Sequence, residues 1–311
     1  MSRFWVFPGQ GAQQPGMLHA LPSDSLISDC LSEASDALSE NVLNLDTPDA
    51  LQSTGAVQLC LLIAGVACSR LLMAQDTTPD YVAGLSIGAY PAAVVAGALS
   101  FGDAVRLVAL RGELMQHAYP KGYGMTALIG LDQGTVEALV QRIHREDTPV
   151  YLANINAEHQ FVIAGSDQAM ADVASLAKEQ GAAAAKRLAV SVPSHCQLLS
   201  EPAHVLAEAF ANVRVQAPNL KYLSGSTARP VFTADSLRDD LAFNMCRVID
   251  WRSTVQTAYE RGVRLQIELP PGTVLTGLAR RVFEQGSAIA FQGARLDTLS
   301  ALSREEERRH S

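Results

Sequence analysis

The stretch Tyr81-Val-Ala-Gly-Leu-Ser-Ile-Gly88 decides the fold. Its first four residues predict a short buried strand, and the small residues of 87–99 predict a helix directly after it. Between the two, Gly84-Leu-Ser-Ile-Gly88 fits the G-x-S-x-G nucleophile elbow, a sharp turn that exposes its serine. The same pattern also occurs in ordinary turns, but its place between a strand and a helix favours a nucleophilic Ser86.

Strands and helices alternate on both sides of this turn. This alternation indicates an α/β domain with a largely parallel sheet. The middle of the chain differs, because its predicted order is β-α-β-β-α-β, which is typical of a ferredoxin-like unit. The sequence therefore predicts a large α/β domain over 1–123 and 192–311 and an inserted ferredoxin-like subdomain over 124–191.

Composition excludes several classes of protein. The chain has 311 residues, 48% of them hydrophobic, and a net charge of −8; we expect neither nucleic acid nor a membrane as its partner. The richest apolar stretch expected, 92–99, is shorter than the roughly 20 residues of a membrane helix. Five scattered cysteines predict no disulfide framework and no metal site. We expect a cytoplasmic protein whose charged tail, from Ser303 on, frays.

A serine hydroxyl is a weak nucleophile and needs a general base. His195, in Val192-Pro-Ser-His-Cys196, follows a predicted strand and precedes a helix, where α/β folds place catalytic groups. Taken alone it is an ordinary loop histidine, but beside an elbow serine it becomes the best candidate for the base. The other histidines of the chain are His19, His117, His144, His159, His204 and His310.

The helix predicted from Ser100 to about His117 carries an arginine on its apolar face. Arg111 falls within a stripe of apolar residues at helical spacing: Ala104, Leu107, Val108, Leu114 and Met115. A guanidinium directed at a core requires an anion or strong acceptors. Two interpretations stay open, a structural ion pair and a bidentate clamp for a substrate carboxylate.

Backbone donors near the elbow are candidates for an oxyanion hole. The N–H of Ile87 begins a helix directly after Ser86 and would point at a developing oxyanion. Gln10, fixed between Gly9 and Gly11 after a predicted strand, could supply a second donor or could cap a helix.

Six motifs occur in the order and spacing of one known family over nearly the whole chain. They are Phe7-Pro-Gly-Gln-Gly-Ala-Gln13, Gly84-Leu-Ser-Ile-Gly88, Leu110-Arg-Gly112, Met125-Thr-Ala-Leu-Ile-Gly130, His195 and Pro271-Gly-Thr-Val-Leu-Thr-Gly277. The chain resembles the malonyl-CoA:acyl carrier protein transacylases. The resemblance implies an α/β-hydrolase-like large domain with an inserted ferredoxin-like subdomain.

The resemblance also implies a role for each candidate residue. By position, Ser86 is the nucleophile and His195 the base of a Ser-His pair; Gln10 and the Ile87 N–H form the oxyanion hole, and Arg111 holds the malonyl carboxylate. Asn244 orients the histidine through its backbone carbonyl, a role that needs no particular side chain. The implied reaction is ping-pong transfer of malonyl from coenzyme A to an acyl carrier protein, without a permanently bound cofactor.

Two stretches favour a subgroup of the family. Pro15-Gly-Met-Leu-His-Ala-Leu-Pro22 and 84–91 most resemble the transacylase (epsilon) subunit of malonate decarboxylase, which implies a dedicated carrier and that enzyme's other subunits as partners. The alternative is a malonyltransferase of fatty acid or polyketide synthesis. An esterase of α/β-hydrolase type would place its histidine late in the chain, after an acid. A non-catalytic carrier-binding subunit would not need the intact set of site residues.

The chain departs from the family pattern near the site. Leu85 replaces the usual histidine before the nucleophile, and Ser194 stands where malonyl-selective members carry phenylalanine, which leaves room for an α-branched acyl group. Asn156-Ala-Glu-His-Gln160 replaces the usual Asn-Ser-Pro-Gly-Gln turn. An acidic carrier needs a local positive patch, for which the candidates are Lys186 and Arg187, and Arg280 and Arg281 on a helix predicted over 273–284.

Overall fold

The computed structural model describes residues 2–308, and within them eleven strands form. Most are short and central to a sheet, in keeping with their buried, apolar composition. In chain order they are β1 Ser2–Phe7, β2 Tyr81–Gly84, β3 Tyr123–Ile129, β4 Val150–Ala157, β5 Gln160–Ser166, β6 Ala184–Arg187, β7 Lys221–Leu223, β8 Pro230–Val231, β9 Ile249–Asp250, β10 Val263–Glu268 and β11 Ser287–Ala290.

The same residues form eleven α-helices, several of them opened by a capping side chain. Ser100 accepts the N–H of Asp103 at the start of one, as its sequence predicts. The helices are α1 Ser25–Leu38, α2 Thr54–Met73, α3 Ala89–Val95, α4 Phe101–Ala118, α5 Gln133–Ile143, α6 Asp167–Glu179, α7 Ser200–Ala209, α8 Ala234–Phe243, α9 Trp251–Glu260, α10 Val274–Ala279 and α11 Leu296–Arg308.

A six-stranded sheet organises the large domain. Its order is β11-β10-β1-β2-β7-β8, and all pairs but β7–β8 are parallel. Successive side chains of β1 point to opposite faces, so Trp5 and Phe7 join the core that contains α1 to α4, while Phe4 and Val6 face α9 and α10. The expected α/β-hydrolase-like domain with a mostly parallel sheet is confirmed.

The predicted subdomain has the expected order, β3-α5-β4-β5-α6-β6. Its strands are arranged β6-β3-β5-β4, all antiparallel, which is the ferredoxin-like arrangement. The four strands lie within 123–187, and a fifth, β9, pairs in parallel with β4 from the large domain's part of the sequence. The pairing of β9 with β4 joins the large domain to the subdomain in one sheet. The exact domain boundaries at 123/124 and 191/192 therefore stay predictions.

Three expectations from the sequence are wrong. The helix expected over 87–99 is a single turn at Ser86–Gly88 followed by α3, which ends at Val95. The richest apolar segment is α2: among residues 2–308 it is the one helix long and apolar enough to cross a membrane, and 89% of that segment is buried. It packs against α1, α3 and α4 as a core helix.

The charged tail is the third. It continues as α11 through Arg308 and buries Leu299, Ser300, Ser303 and Glu306 on one face. Small serines at helical spacing hide this face in the sequence, because they carry no apolar signal. Arg309, His310 and Ser311 lie outside the described residues.

Candidate active site

The backbone around Ser86 is the elbow that the motif predicts. The Leu85 N–H donates to the Phe7 carbonyl at 2.9 Å, which fixes the end of β2 against β1. Ser86 has φ 56°, in the left-handed region, a conformation that a non-glycine residue adopts at a cost. Added Cβ atoms on Gly84 and Gly88 would overlap backbone atoms, so only glycine fits on either side of the serine.

His195 is held by two backbone carbonyls. Its N–H donates to the Met245 carbonyl at 2.7 Å, and its Nδ1 lies 2.8 Å from the Asn244 carbonyl oxygen. A carbonyl only accepts, so Nδ1 carries the proton and the Nε2 lone pair is available. Burial, and secondarily the charge of Arg111, lower the pKa of His195 to about 4. The imidazole is therefore neutral at pH 7, the form that can accept a proton.

Ser86 and His195 line one cavity of about 150 Å³. The part of the chain that the structure describes contains no hydrogen bond between these two side chains; the Ser86 hydroxyl instead lies 3.3 Å from Nη2 of Arg111. Such catalytic contacts are often long in unliganded sites and shorten in the complex with substrate.

Arg111 is fully buried in α4 and has no counter-ion within residues 2–308. Its Nη1 donates to Gln58 Oε1 at 2.6 Å and its Nη2 to Asn244 Oδ1 at 3.1 Å. None of the ion pairs within residues 2–308 includes it, so the interpretation as a structural ion pair is wrong. Burial lowers the pKa of Arg111 to about 10, which still leaves it cationic at pH 7. A buried cation held only by neutral groups can bind an anion.

Gln58 is a site residue that the sequence analysis missed. It lies fully buried in α2, accepts from Arg111, and donates through Nε2 to Gln10 Oε1 at 3.4 Å. The signal was present, since Gln58 is a polar residue within the apolar run of α2 from Ala56 to Cys68, the same anomaly that identified Arg111. Gln10 itself lines the same cavity as Ser86.

The side chain of Asn244 takes part in the site, in addition to the backbone carbonyl that the resemblance implies. Its Oδ1 accepts from Arg111 and its Nδ2 donates to the Ser86 carbonyl at 3.2 Å, while its own carbonyl accepts from His195. One residue, 2% exposed, therefore contacts nucleophile, base and cation. The sequence could not show these three contacts, because they depend on the position of Asn244 directly after the end of α8. The oxyanion roles of Gln10 and Ile87 stay predictions.

All three departures from the family pattern have a residue on the wall of the cavity: Leu85, Ser194, which is 4% exposed, and Asn156. A second cavity of about 440 Å³ adjoins the first and shares Leu85, Leu188 and Val190 with it. Lys186 and Arg187 line this outer cavity.

Of the four predicted carrier-binding cations, three are exposed without an ion pair in the described chain. Arg187 is paired with Asp167 at 2.7 Å, whereas Lys186 is exposed and unpaired. Arg280 and Arg281 are exposed as well, but they follow α10, which ends at Ala279, rather than lying within it. Of these three unpaired cations, Lys186 is the one that lines the outer cavity.

Comparison with known proteins identifies the family. The model of the acyl transferase domain matches residues 4–308. The malonyl CoA-acyl carrier protein transacylase of Haemophilus influenzae is 37% identical over 92% of this chain and 93% of its own. The solved transacylase of Coxiella burnetii is 34% identical, with a TM-score of 0.92 and 98% of each chain covered.

A further solved structure holds a carrier. It is a malonyl-transacylase in complex with a type II PKS acyl-carrier protein, 34% identical, with a TM-score of 0.91 over 98% of this chain and all of that one. Matches over nearly the whole length, by sequence and by structure, show that this chain is an acyltransferase that belongs to the malonyl-CoA:acyl carrier protein transacylase family.

Proposed function

We propose that the chain transfers a malonyl group from coenzyme A to the thiol of an acyl carrier protein through a malonyl ester of Ser86. The observation that carries the proposal is Arg111, a buried cation without a counter-ion that touches the candidate nucleophile. A carboxylate on the acyl group supplies the missing partner. An esterase for neutral esters would leave this cation unexplained.

The chemistry follows from the protonation of the site. Neutral His195 takes the proton of Ser86 Oγ as the oxygen attacks the thioester carbonyl, and the resulting oxyanion lies by Gln10 and the Ile87 N–H. The C–S bond breaks, and the sulfur of coenzyme A leaves with the proton from His195. The carrier thiol then repeats these steps in reverse. A thioester is already activated, so the proposal assigns no step to a metal or a bound cofactor.

Among carriers, the observations favour one of fatty acid or polyketide type. The relatives reported above are named transacylases of acyl carrier proteins, and one was solved with a polyketide carrier. None of those three is named as a malonate decarboxylase subunit, so that assignment and its partner subunits stay predictions, as does a cytoplasmic location.

Intact-mass measurement tests the proposal. The chain is mixed with malonyl-, methylmalonyl- or acetyl-CoA, then with a carrier bearing phosphopantetheine or one bearing the dephospho-coenzyme A arm of malonate decarboxylase. We expect a malonyl adduct on the protein that the phosphopantetheine carrier removes. Preferential discharge to the other carrier would reinstate the decarboxylase assignment, and an adduct that only water removes would indicate an esterase.

A further inference from the structure

The hydrogen bonds of Arg111 leave its positive charge incompletely compensated. Its two Nη atoms contact only neutral groups, the side chains of Gln58, Asn244 and Ser86. Its Nε makes no hydrogen bond within residues 2–308. The side chain is fully buried, so bulk solvent does not stabilise the charge. A buried cation in this state requires a further favourable contact.

The aromatic ring of Tyr90 provides such a contact. The Arg111 Cζ atom lies over this ring, 5.9 Å from its centroid. This distance is within the range of a cation–π interaction, which becomes stronger when both groups are removed from water. Tyr90 is fully buried, as Arg111 is. Burial also raises the pKa of the Tyr90 phenol, so the ring is neutral at pH 7 and meets the cation with its π electrons.

The ring of Tyr90 is anchored on two segments of the site. Its backbone lies in the first turn of α3, four residues after Ser86. Its hydroxyl donates to the Leu241 carbonyl of α8 at 2.9 Å. Helix α8 ends directly before Asn244, whose Oδ1 accepts from Arg111. The ring is therefore fixed relative to the nucleophile and to one of the acceptors of the cation.

We propose that Tyr90 is a positioning residue whose ring holds the Arg111 guanidinium in the orientation that binds the carboxylate of the acyl group. Tyr90 thereby contributes to the preference for malonyl over an uncharged acyl group. The proposal rests on the transfer reaction proposed above and adds a determinant of its selectivity. Because acetyl has no carboxylate, loss of the ring should lower malonyl transfer without a matching loss of acetyl transfer.

The test compares variants that keep the ring with variants that lack it. Tyr90→Phe removes only the hydroxyl, whereas Tyr90→Leu and Tyr90→Met remove the ring and differ in shape, in case one of them folds poorly. Phe210→Leu is the matched control, because Phe210 is a fully buried ring of the same core that contacts no cation within residues 2–308. For each protein, kcat/KM is measured with malonyl and acetyl thioesters of coenzyme A and of N-acetylcysteamine.

In Tyr90→Leu and Tyr90→Met we expect the ratio of malonyl to acetyl kcat/KM to fall about tenfold, the size of one desolvated cation–π contact. The fall should be the same with both thiols, because the contact acts on the acyl group. Tyr90→Phe and Phe210→Leu should keep the ratio of the wild type. In an Arg111→Ala background, loss of the Tyr90 ring should not change the ratio further.

Equal loss of malonyl and acetyl transfer in the variants without the ring would mean that Tyr90 only fills space, and would overturn the proposal. An unchanged ratio in these variants, or an equal fall of the ratio in Tyr90→Phe, would overturn it as well. The wild type separates this result from the transfer reaction itself. A wild type without a preference for malonyl would refute the proposed function, whereas a selective wild type with selective variants would refute only the role of Tyr90.

Discussion

The two sides of the active-site cavity, one formed by the large domain and one by the subdomain, differ in polarity. On the large-domain side, hydrogen bonds link four buried or half-buried polar side chains, Ser86, Arg111, Gln58 and Asn244, into one network. On the subdomain side, the wall is apolar apart from Asn154 and Asn156, whose Oδ1 atoms accept no hydrogen bond from residues 2–308. The network holds reacting groups in fixed positions, whereas the wall can accommodate whatever thiol arm arrives. Substitutions in the network should therefore have large effects on malonyl transfer. Substitutions on the subdomain wall, and at the rim of the outer cavity where Lys186 lies, should have small effects.

The largest effect is expected at the nucleophile. Ser86→Ala should abolish the covalent malonyl adduct, with a loss of at least about 10⁴-fold in transfer and little change in melting temperature. Cys196→Ala is the control, because burial raises the pKa of this neighbouring thiol to about 12, which keeps it from acting as a nucleophile. Intact mass after mixing with malonyl-CoA reads both variants, and an adduct on Ser86→Ala would refute the assignment.

Removal of the Arg111 cation should affect malonyl transfer and acetyl transfer differently. Arg111→Ala should lower malonyl transfer by about 10²–10⁴-fold and leave acetyl transfer unchanged or improved, because acetyl has no carboxylate to pair. Arg106→Ala on the same helix is the control, since Arg106 is exposed and paired with Asp103. Equal loss of both acyl activities, together with a large drop in melting temperature, would contradict the role as a clamp.

The buried base should make stability depend on pH. The pKa of His195 is lowered from 6.5 to about 4 by burial, so the unfolded chain takes up this proton first as the pH falls. The stabilisation is complete above pH 6.5 and decreases from there to about pH 4, by about 3 kcal/mol.

The comparison variant is His195→Asn, because asparagine tolerates the φ of 65° found there. Chemical unfolding of the two proteins from pH 7 to pH 4 should show the wild type losing stability relative to the variant. Parallel curves would mean that His195 titrates normally in the folded protein.

A smaller effect is expected from the side chain that connects the network. Asn244→Ala removes the contacts to Arg111 and to the Ser86 carbonyl but keeps the backbone carbonyl that accepts from His195. Malonyl transfer should fall about 10- to 100-fold and acetyl transfer less, while the pH dependence of acylation stays as in the wild type. Unchanged malonyl transfer would mean that the side chain of Asn244 has no part in the reaction.

The smallest effect belongs to the rim. Lys186→Glu should raise the KM for the carrier severalfold at low salt and leave that for an N-acetylcysteamine donor unchanged, because a rim charge steers an acidic partner. Lys178→Glu is the matched control, an exposed lysine of the same subdomain on α6. Steady-state transfer at two ionic strengths checks this; a similar change in both variants would remove Lys186 as a specific contact.

Most of the correct predictions from the sequence rest on patterns of residues that are neighbours in the chain. The elbow around Ser86 and the position of Arg111 are set by neighbours in the chain, so motif and helical spacing were enough. Gln58 and the side chain of Asn244 act through residues about 50 or more positions away, and their roles depend on how helices meet. The two- and three-residue strands β7 to β9 are shorter than any period that a pattern could reveal.

The burial of α2 has a consequence for synthesis. This helix packs on α3 and α4, which follow it in the chain, so for part of translation α1 alone can cover it. A 20-residue apolar segment that emerges before its partners has the composition which chaperones and membrane-targeting factors bind. The ribosome-bound chain is therefore most exposed to aggregation or mistargeting between the appearance of residue 73 and that of residue 118, and slow translation there would lengthen this interval.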